Sequence, residues 1–315
     1  MKCFASVLLT VFLLSGAVAC SGSRQKSQPG DTGDGRAAES LKDSLEEIVA
    51  QYPGEIGIAL LTGNGDTVTV NNEDKYPLMS VFKFHQAVSL CHLFGQRKIS
   101  LDTIVEISRD SLNPDTWSPM LKDYAGKTIR IPVSQLLRYT LMQSDNNASN
   151  YLFENIESVR DVYGFISTLV PPGSFSLAVT EAEMWKDHSR CYDNHTSPLG
   201  AAILMNRIYT DSIPGLGDID FVRTALRECR IGKDRIAAPL SGVEGISIGH
   251  KTGSGFRDSS GRLTAHNDVA FVTLPDGRYY TLAVFVKDFY GSEEEAAAAI
   301  ARISAAVYSY VNSLL

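Results

Sequence analysis

The chain has 315 residues, 44% hydrophobic and 21% charged, the mix of an ordinary globular protein rather than a collagen-like, disordered or multi-span membrane chain. At about 150 residues per domain, that length predicts two domains, or one large domain with an insert. Lys and Arg number 29 against 36 Asp and Glu, for a net charge of −7, so no broad basic surface for nucleic acid is expected.

In chain order, Lys2 precedes an apolar run from Phe4 to Leu14, followed by the small residues Ser15 to Ala19 and then Cys20. A charged start, a short apolar stretch and an Ala-x-Ala exit predict an export signal over residues 1–19. The run is shorter than the roughly 20 apolar residues of a membrane span. Cys20, just past the exit, resembles the lipidated cysteine of a bacterial lipobox, although Ala17 replaces the larger aliphatic residue usual three positions before it. A periplasmic location and a lipid anchor through Cys20 are the resulting expectations, with simple secretion as the alternative. Residues 20–39 contain no Val, Ile, Leu or aromatic residue and are expected to be a flexible tether.

Ser40 to Asp43 reads as a capping box, after which Leu41, Leu45, Ile48 and Val49 share one helical face. Ile56–Leu61 and Thr67–Val70 flank the turn sequence Thr62-Gly63-Asn64-Gly65-Asp66 and predict a hairpin. Near the other end, Ala270–Leu274 and Tyr279–Lys287 flank Pro275-Asp276-Gly277 and predict a second one. Ile246-Ser247-Ile248 adds a strand. Ser292 with Glu295 caps a final helix carrying Ile300, Ile303, Val307 and Leu314. Helical patterns dominate from about residue 80 to 230. A lone hairpin is marginal, so the two ends are expected to share one sheet. The fold class is therefore α+β, of the α/β sandwich type: a five-stranded, mainly antiparallel sheet with flanking helices, plus an all-helical domain. Residues 40–79 and 230–315 would form the discontinuous sheet domain and 80–229 the helical one.

Five cysteines are too few and too scattered for a disulfide scaffold. No disulfide is expected among Cys91, Cys191 and Cys229, and Cys91 sits at helical spacing from Val88, as a buried thiol would. The six histidines include no His-x-His or His-Glu-x-x-His, so neither a metal site nor a cofactor is expected. His85 and His92 follow helical spacing and read as packing residues.

Three short motifs occur in order. Ser80-Val81-Phe82-Lys83 opens a predicted helix, where a three-residue step brings the amine beside the hydroxyl. The pattern alone is weak, since Ser23-Arg24-Gln25-Lys26 shares it, but apolar Val81, Phe82, Phe84 and Val88 imply that Lys83 is buried, and a buried lysine needs a partner. Ser144-Asp145-Asn146 by itself reads as a helix cap or polar turn. Lys251-Thr252-Gly253 directly follows the Ile246–Ile248 strand.

Together, Ser-x-x-Lys, Ser-Asp-Asn and Lys-Thr-Gly resemble the signature of class A serine β-lactamases and penicillin-binding proteins. The resemblance covers the chain from about Ser40 to its end. Glu181-Ala182-Glu183-Met184 and His250 are most similar to the extended-spectrum branch that favours cephalosporins. It implies the serine β-lactamase/penicillin-binding-protein-like fold, β-lactam small molecules as partners, a monomer, and antibiotic resistance through an acyl-serine intermediate. Ser80 would then be the nucleophile, Lys83 its base or the assistant of that base, and Ser144 the donor of a proton to the β-lactam nitrogen with Lys251 polarising it. Asn146 would hold the acylamino side chain. Backbone N–H groups of Ser80 and Ser254 would form the oxyanion hole. Glu181 matches the water-activating glutamate, lying 37 residues after Ser144 and 70 before Lys251, with Glu183 as the runner-up.

Three departures stand out. Trp185 replaces the asparagine that helps position the water. Val179 and Asn194 replace the arginine–aspartate pair that closes the glutamate loop, so that loop is expected to be wider or held differently. Ala87 replaces a frequent disulfide cysteine. Arg235 could reach the substrate carboxylate beside Lys251 and Thr252, or be a surface helix-end arginine. Trp117 matches a cleft-mouth aromatic, with core packing as its alternative. Two other functions share the motifs: a penicillin-binding D-alanyl-D-alanine peptidase, which would lack the activated water, and a non-hydrolysing β-lactam sensor.

Overall fold

The computed structural model describes residues 33–73, 75–213 and 215–314. The export segment, Cys20 and the tether up to residue 32 lie outside them. α1 (Gly33–Val49) begins before Ser40, so residues 33–39 are helix and not tether. Ser40 is therefore interior to that helix and does not cap it; its carbonyl accepts from the Ser44 hydroxyl at 2.9 Å. The extension has a local and a tertiary cause. Ala37 and Ala38 are strong helix formers, and both pack against the core beneath the terminal helices.

The hairpin follows as β1 (Glu55–Thr62) and β2 (Thr67–Val70). Next come β3 (Tyr76–Pro77), a 3₁₀ turn at Met79–Val81 and α2 (Phe82–Arg97). The middle of the chain supplies β4 (Ile104–Ser108), α3 (Pro119–Asp123), β5 (Thr128–Pro132), α4 (Val133–Met142), α5 (Asn146–Asn155) and α6 (Val159–Ile166). It continues with β6 (Phe175–Ser176), α7 (Glu181–Lys186), β7 (His195–Thr196), α8 (Pro198–Thr210) and α9 (Ile219–Arg227). The chain closes with β8 (Ser247–Ser254), β9 (Leu263–Thr273), β10 (Tyr279–Phe289) and α10 (Glu293–Ser313). Ser292 and Glu295 form the expected capping box on α10.

The main sheet has the order β2-β1-β10-β9-β8 and every pairing in it is antiparallel. Both ends of the chain thus build one five-stranded sheet, as the hairpins imply. Strand alternation divides its side chains between two layers. Ile58, Leu60, Leu282 and Val284 join Leu45, Ile300 and Val307 of α1 and α10. Ala59, Ala283, Phe285 and Phe271 face the opposite way, into the larger core shared with α2, α4 and α8.

The middle segment departs from an all-helical domain in two respects. It contains the β4–β5 hairpin and, in β6 and β7, two strands of the small β3-β7-β6 sheet. In addition, α8 lies directly against β1, β9 and β10, so residues 198–210 cover the second face of the sheet. Thr281 of β10 donates to the Ala202 carbonyl of α8 at 3.4 Å. α2 is buried almost all round, and within it Gln86 exchanges hydrogen bonds of 2.9 and 2.8 Å with Ser149. His85 stacks on Phe175 and His92 on Phe165. Cys91, Cys191 and Cys229 are buried free thiols.

Candidate active site

Ser80 sits on the 3₁₀ turn ahead of α2, held from both sides. Met79 adopts φ +44°, a left-handed conformation that a non-glycine residue keeps only when its surroundings enforce it. The enforcement is visible: the Leu78 N–H donates to the Asn194 carbonyl at 2.9 Å, and the Asn267 amide donates to the Pro77 carbonyl at 2.8 Å. β8 closes the other side. A Cβ on Gly253 would stand 2.5 Å from the Leu78 carbonyl oxygen, so only glycine lets the Lys-Thr-Gly strand lie this close to the turn.

Lys83 is fully buried, and its amine donates to Ser80 Oγ at 2.9 Å, to the Ser144 carbonyl at 2.8 Å and to Asn146 Oδ1 at 2.6 Å. Glu181 Oε1 lies 2.8 Å away as its counter-charge. These contacts offset the desolvation of a buried ammonium. Ser80 Oγ in turn donates to Glu181 Oε1 at 3.0 Å. The serine hydroxyl therefore lies between an ammonium and a carboxylate.

Ser144-Asp145-Asn146 is both a cap and part of this cluster. Asp145 is the N-cap of α5, accepting from the Ala148 N–H at 2.9 Å. It also accepts from the Met120 N–H at 2.7 Å and from the Ser118 hydroxyl. With Ser144 at φ +57°, the residues either side of the cap turn toward Lys83. Lys251 donates to Ser144 Oγ at 3.0 Å and to the Thr252 carbonyl at 2.8 Å. Burial, and then the neighbouring Lys83 charge, bring the Lys251 pKa down to about 7.

Glu181 and Glu183 separate cleanly. Thr180 caps α7, and Glu183 completes its capping box while pairing with Arg190 at 3.1 Å. Glu181, the first residue of the helix, is the one that reaches Ser80. The loop around it is held differently from an arginine–aspartate closure. Asn194 Oδ1 accepts from the Ala178 and Val179 N–H groups at 2.7 and 3.0 Å, and its Nδ2 donates to the Val179 carbonyl at 2.8 Å. Trp185 is half exposed and meets the His188 ring edge-on, and His188 stacks on Phe256 with ring centres 3.9 Å apart.

Ser80, Ser144, Asn146, Glu181, Arg235, Thr252, Ser254 and Trp117 all line one cleft of about 460 Å³. Arg235 is buried, not a surface arginine: it donates to the carbonyls of Gly253 and Asn267 and to Ser254 Oγ at 2.6 Å. Trp117 is 54% exposed, so it stands at the cleft mouth and not in the core, its indole N–H donating to the Gln143 carbonyl. Sequence reasoning missed Thr116, which accepts from the Asn146 amide at 2.8 Å, and the His188–Phe256 wall. No periodicity signals a loop-to-loop stack of this kind.

The β-lactamase enzyme family model matches residues 40–311. A β-lactamase of Phocaeicola vulgatus is 53% identical over 284 residues, covering 90% of this chain and 88% of that protein. The extended-spectrum β-lactamase PER-1 of Pseudomonas aeruginosa is 31% identical over 272 residues, covering 86% of this chain and 87% of its own length. Among solved structures, a class A β-lactamase from Bacteroides cellulosilyticus superposes with a TM-score of 0.82 at 31% identity, covering 88% of this chain and 99% of that one. The TLA-3 extended-spectrum β-lactamase gives 0.83 at 30%, covering 87% and 99%. The chain belongs to the β-lactamase enzyme family and has the class A fold.

Proposed function

We propose that the protein hydrolyses the β-lactam amide bond by way of an acyl-serine, and that Ser80, Lys83, Ser144 and Glu181 carry the chemistry. The observation that supports this most is the Ser80 hydroxyl, 2.9 Å from the Lys83 amine and 3.0 Å from Glu181 Oε1. Ser80 Oγ attacks the ring carbonyl while its proton passes to Glu181, and Lys83 steadies the developing charge. Backbone N–H groups of Ser80 and Ser254 hold the oxyanion, each donor contributing about 3–4 kcal/mol to the transition state. As the C–N bond breaks, the nitrogen takes the Ser144 proton, Lys83 replaces it across 3.4 Å, and the proton held by Glu181 passes to Lys83 across 2.8 Å, so Glu181 is a carboxylate again before water attacks. Glu181 then removes a proton from the water that attacks the ester, and Ser80 is released. Lys251, Thr252 and Arg235 face the substrate carboxylate, Asn146 the acylamino group and Trp117 the outer side chain.

Glu181 also favours hydrolysis over a penicillin-binding peptidase or a sensor, since both of those retain the drug acyl group. The extended-spectrum relatives support cephalosporins beside penicillins as substrates, and resistance as the outcome. The N-terminal motif supports export to the periplasm with a lipid on Cys20. Loss of chromogenic cephalosporin absorbance tests the chemistry: Ser80→Ala should be inactive, and in Glu181→Gln, where Lys83 at 2.9 Å is left to take the Ser80 proton but no base activates water, an acyl-enzyme should accumulate, visible by mass spectrometry. Wild-type turnover in either variant would overturn the assignment. Labelling with a radioactive fatty acid tests the anchor.

A further inference from the structure

Glu181 sits at the front of a loop whose rear carries a second set of contacts that the proposed chemistry does not use. His188 and Tyr192 lie on one short 3₁₀ segment, His188–Asp193. Asp187 caps it through the Ser189 N–H at 3.0 Å, and Arg190 pairs with Glu183 and Asp193 at 3.1 and 3.2 Å, so the segment is internally braced. Both ends of it reach across to the turn between β8 and β9. His188 stacks on Phe256 with ring centres 3.9 Å apart and 26° between the planes. The Tyr192 hydroxyl donates to Asp288 Oδ1 at 2.7 Å, and Arg262, at the far end of that turn, pairs with the same oxygen at 3.3 Å.

The receiving turn is braced as well. Asp258 accepts from the N–H groups of Ser260 and Arg262 at 2.9 and 3.1 Å and from Arg262 Nε at 2.9 Å. The Thr264 N–H donates to the Phe256 carbonyl at 3.0 Å, and the Phe256 N–H to Thr264 Oγ1 at 3.2 Å. Asp288 adopts φ +53°, a left-handed conformation that a non-glycine residue keeps only where its surroundings hold it. Tyr192 and Arg262, converging on one carboxylate oxygen, supply that hold. Phe256, His188 and Trp185, which meets His188 edge-on, all line the cleft, whereas Tyr192, Asp288 and Arg262 do not. The front of the loop is secured separately: the Ala182 N–H donates to Asn150 Oδ1 at 3.1 Å, and Asn194 holds residues 178–179.

We propose that Tyr192 and Asp288 are positioning residues that, with Arg262, clasp the glutamate loop to the β8–β9 turn, and that the wall of Trp185, His188 and Phe256 held by this clasp selects β-lactams whose acyl group ends in a flat aromatic ring. The inference rests on the hydrolytic reading above and deepens it. Edge-on and offset ring contacts add to what buried area alone contributes, and they favour binding most when the receiving rings are fixed before the ligand arrives. A wall pinned at both Phe256 and Tyr192 meets that condition. Loss of the clasp therefore weakens capture of aromatic substrates while Glu181 stays in place, the reverse of what a change at Asn194 does.

The test compares benzylpenicillin, whose acyl group ends in a phenyl ring, with 6-aminopenicillanic acid, which has no acyl group. In Tyr192→Phe, kcat/KM for benzylpenicillin should fall about fivefold, through KM and not kcat, while that for 6-aminopenicillanic acid stays within about twofold. Asp288→Asn, which keeps an acceptor and suits a positive φ, should retain most of the selectivity that Asp288→Ala loses. Phe256→Ala should lose it too, and adding Tyr192→Phe to that variant should change little more. Equal losses for the two penicillins, no loss for either, or full additivity of Tyr192→Phe and Phe256→Ala overturns the proposal. The positioning also has a readout without drug: the ring-current shift that Phe256 imposes on the His188 ring protons, measured by NMR, should shrink in Tyr192→Phe, and an unchanged shift overturns the clasp. A protein that shows the shrinkage but never hydrolyses either penicillin fails the hydrolytic reading alone.

Discussion

The Lys251 ammonium donates to the Ser144 hydroxyl across 3.0 Å, from a position that solvent does not reach. Its charge is costly there, because burial and the nearby Lys83 both favour the neutral amine and hold its pKa at about 7. The strand of the Lys-Thr-Gly motif therefore carries a titrating group in the working pH range.

A pH dependence follows directly. Lys251 donates to Ser144 Oγ and in the proposed mechanism its charge serves the substrate carboxylate, and the protonated fraction falls as pH rises above about 7. Since kcat/KM reports the free enzyme, it should decline on the alkaline side from near pH 7, approaching roughly tenfold per pH unit. Lys251→Arg, always charged, should move that limb upward even if its maximum is lower. A wild-type profile that stays flat to pH 9 would contradict a titrating Lys251.

Asn194 does with a neutral amide what an ion pair would otherwise do for the glutamate loop. Its side chain satisfies two backbone N–H groups and one carbonyl of residues 178–179. Asn194→Ala leaves those groups unpaired, the N–H and carbonyl of Val179 in a buried position, at a cost of about 2–4 kcal/mol. Thermal unfolding should show that loss. Because the loop carries Glu181, deacylation should slow more than acylation, so pre-steady-state traces should acquire a burst. An unchanged melting temperature would show that the loop is closed by other contacts.

Glu157 sets a pH limit on stability. One carboxylate oxygen accepts from Ser89 at 2.8 Å, while the other is buried without a partner among the described residues. Burial, opposed by the Ser89 bond and reinforced by Asp161, raises its pKa from 4.5 to about 7. The folded state then binds more protons than the unfolded one between those values. The contribution of the protonated group is complete below pH 4.5 and is lost as pH climbs through about 7, a difference of up to about 3 kcal/mol. Glu157→Gln should remove that slope, making the variant more stable relative to wild type at pH 8 than at pH 5. Urea titrations at both pH values measure it, and equal differences at the two would exclude Glu157 as the source.

Whatever rests on short-range pattern was legible in the chain before any contact was known. Alternating apolar residues and turn glycines marked both hairpins, Ser292 and Glu295 marked the start of α10, and the spacing of Ser80 and Lys83 placed amine beside hydroxyl. Spacing from Ser144 and Lys251 favoured Glu181 over Glu183; that Glu183 is tied up in the Thr180 capping box came only with the structure. Long-range packing settled the rest. The helix of residues 33–39 holds because the core beneath α10 receives Ala37 and Ala38, and α8 belongs to the sheet because it packs against β1 and β10. Arg235 is buried because three oxygen acceptors await it. Such contacts join residues far apart in the chain, and their energies depend on how completely water is excluded. Composition and charge ruled out a basic nucleic-acid surface; packing alone determined which buried groups would share a proton.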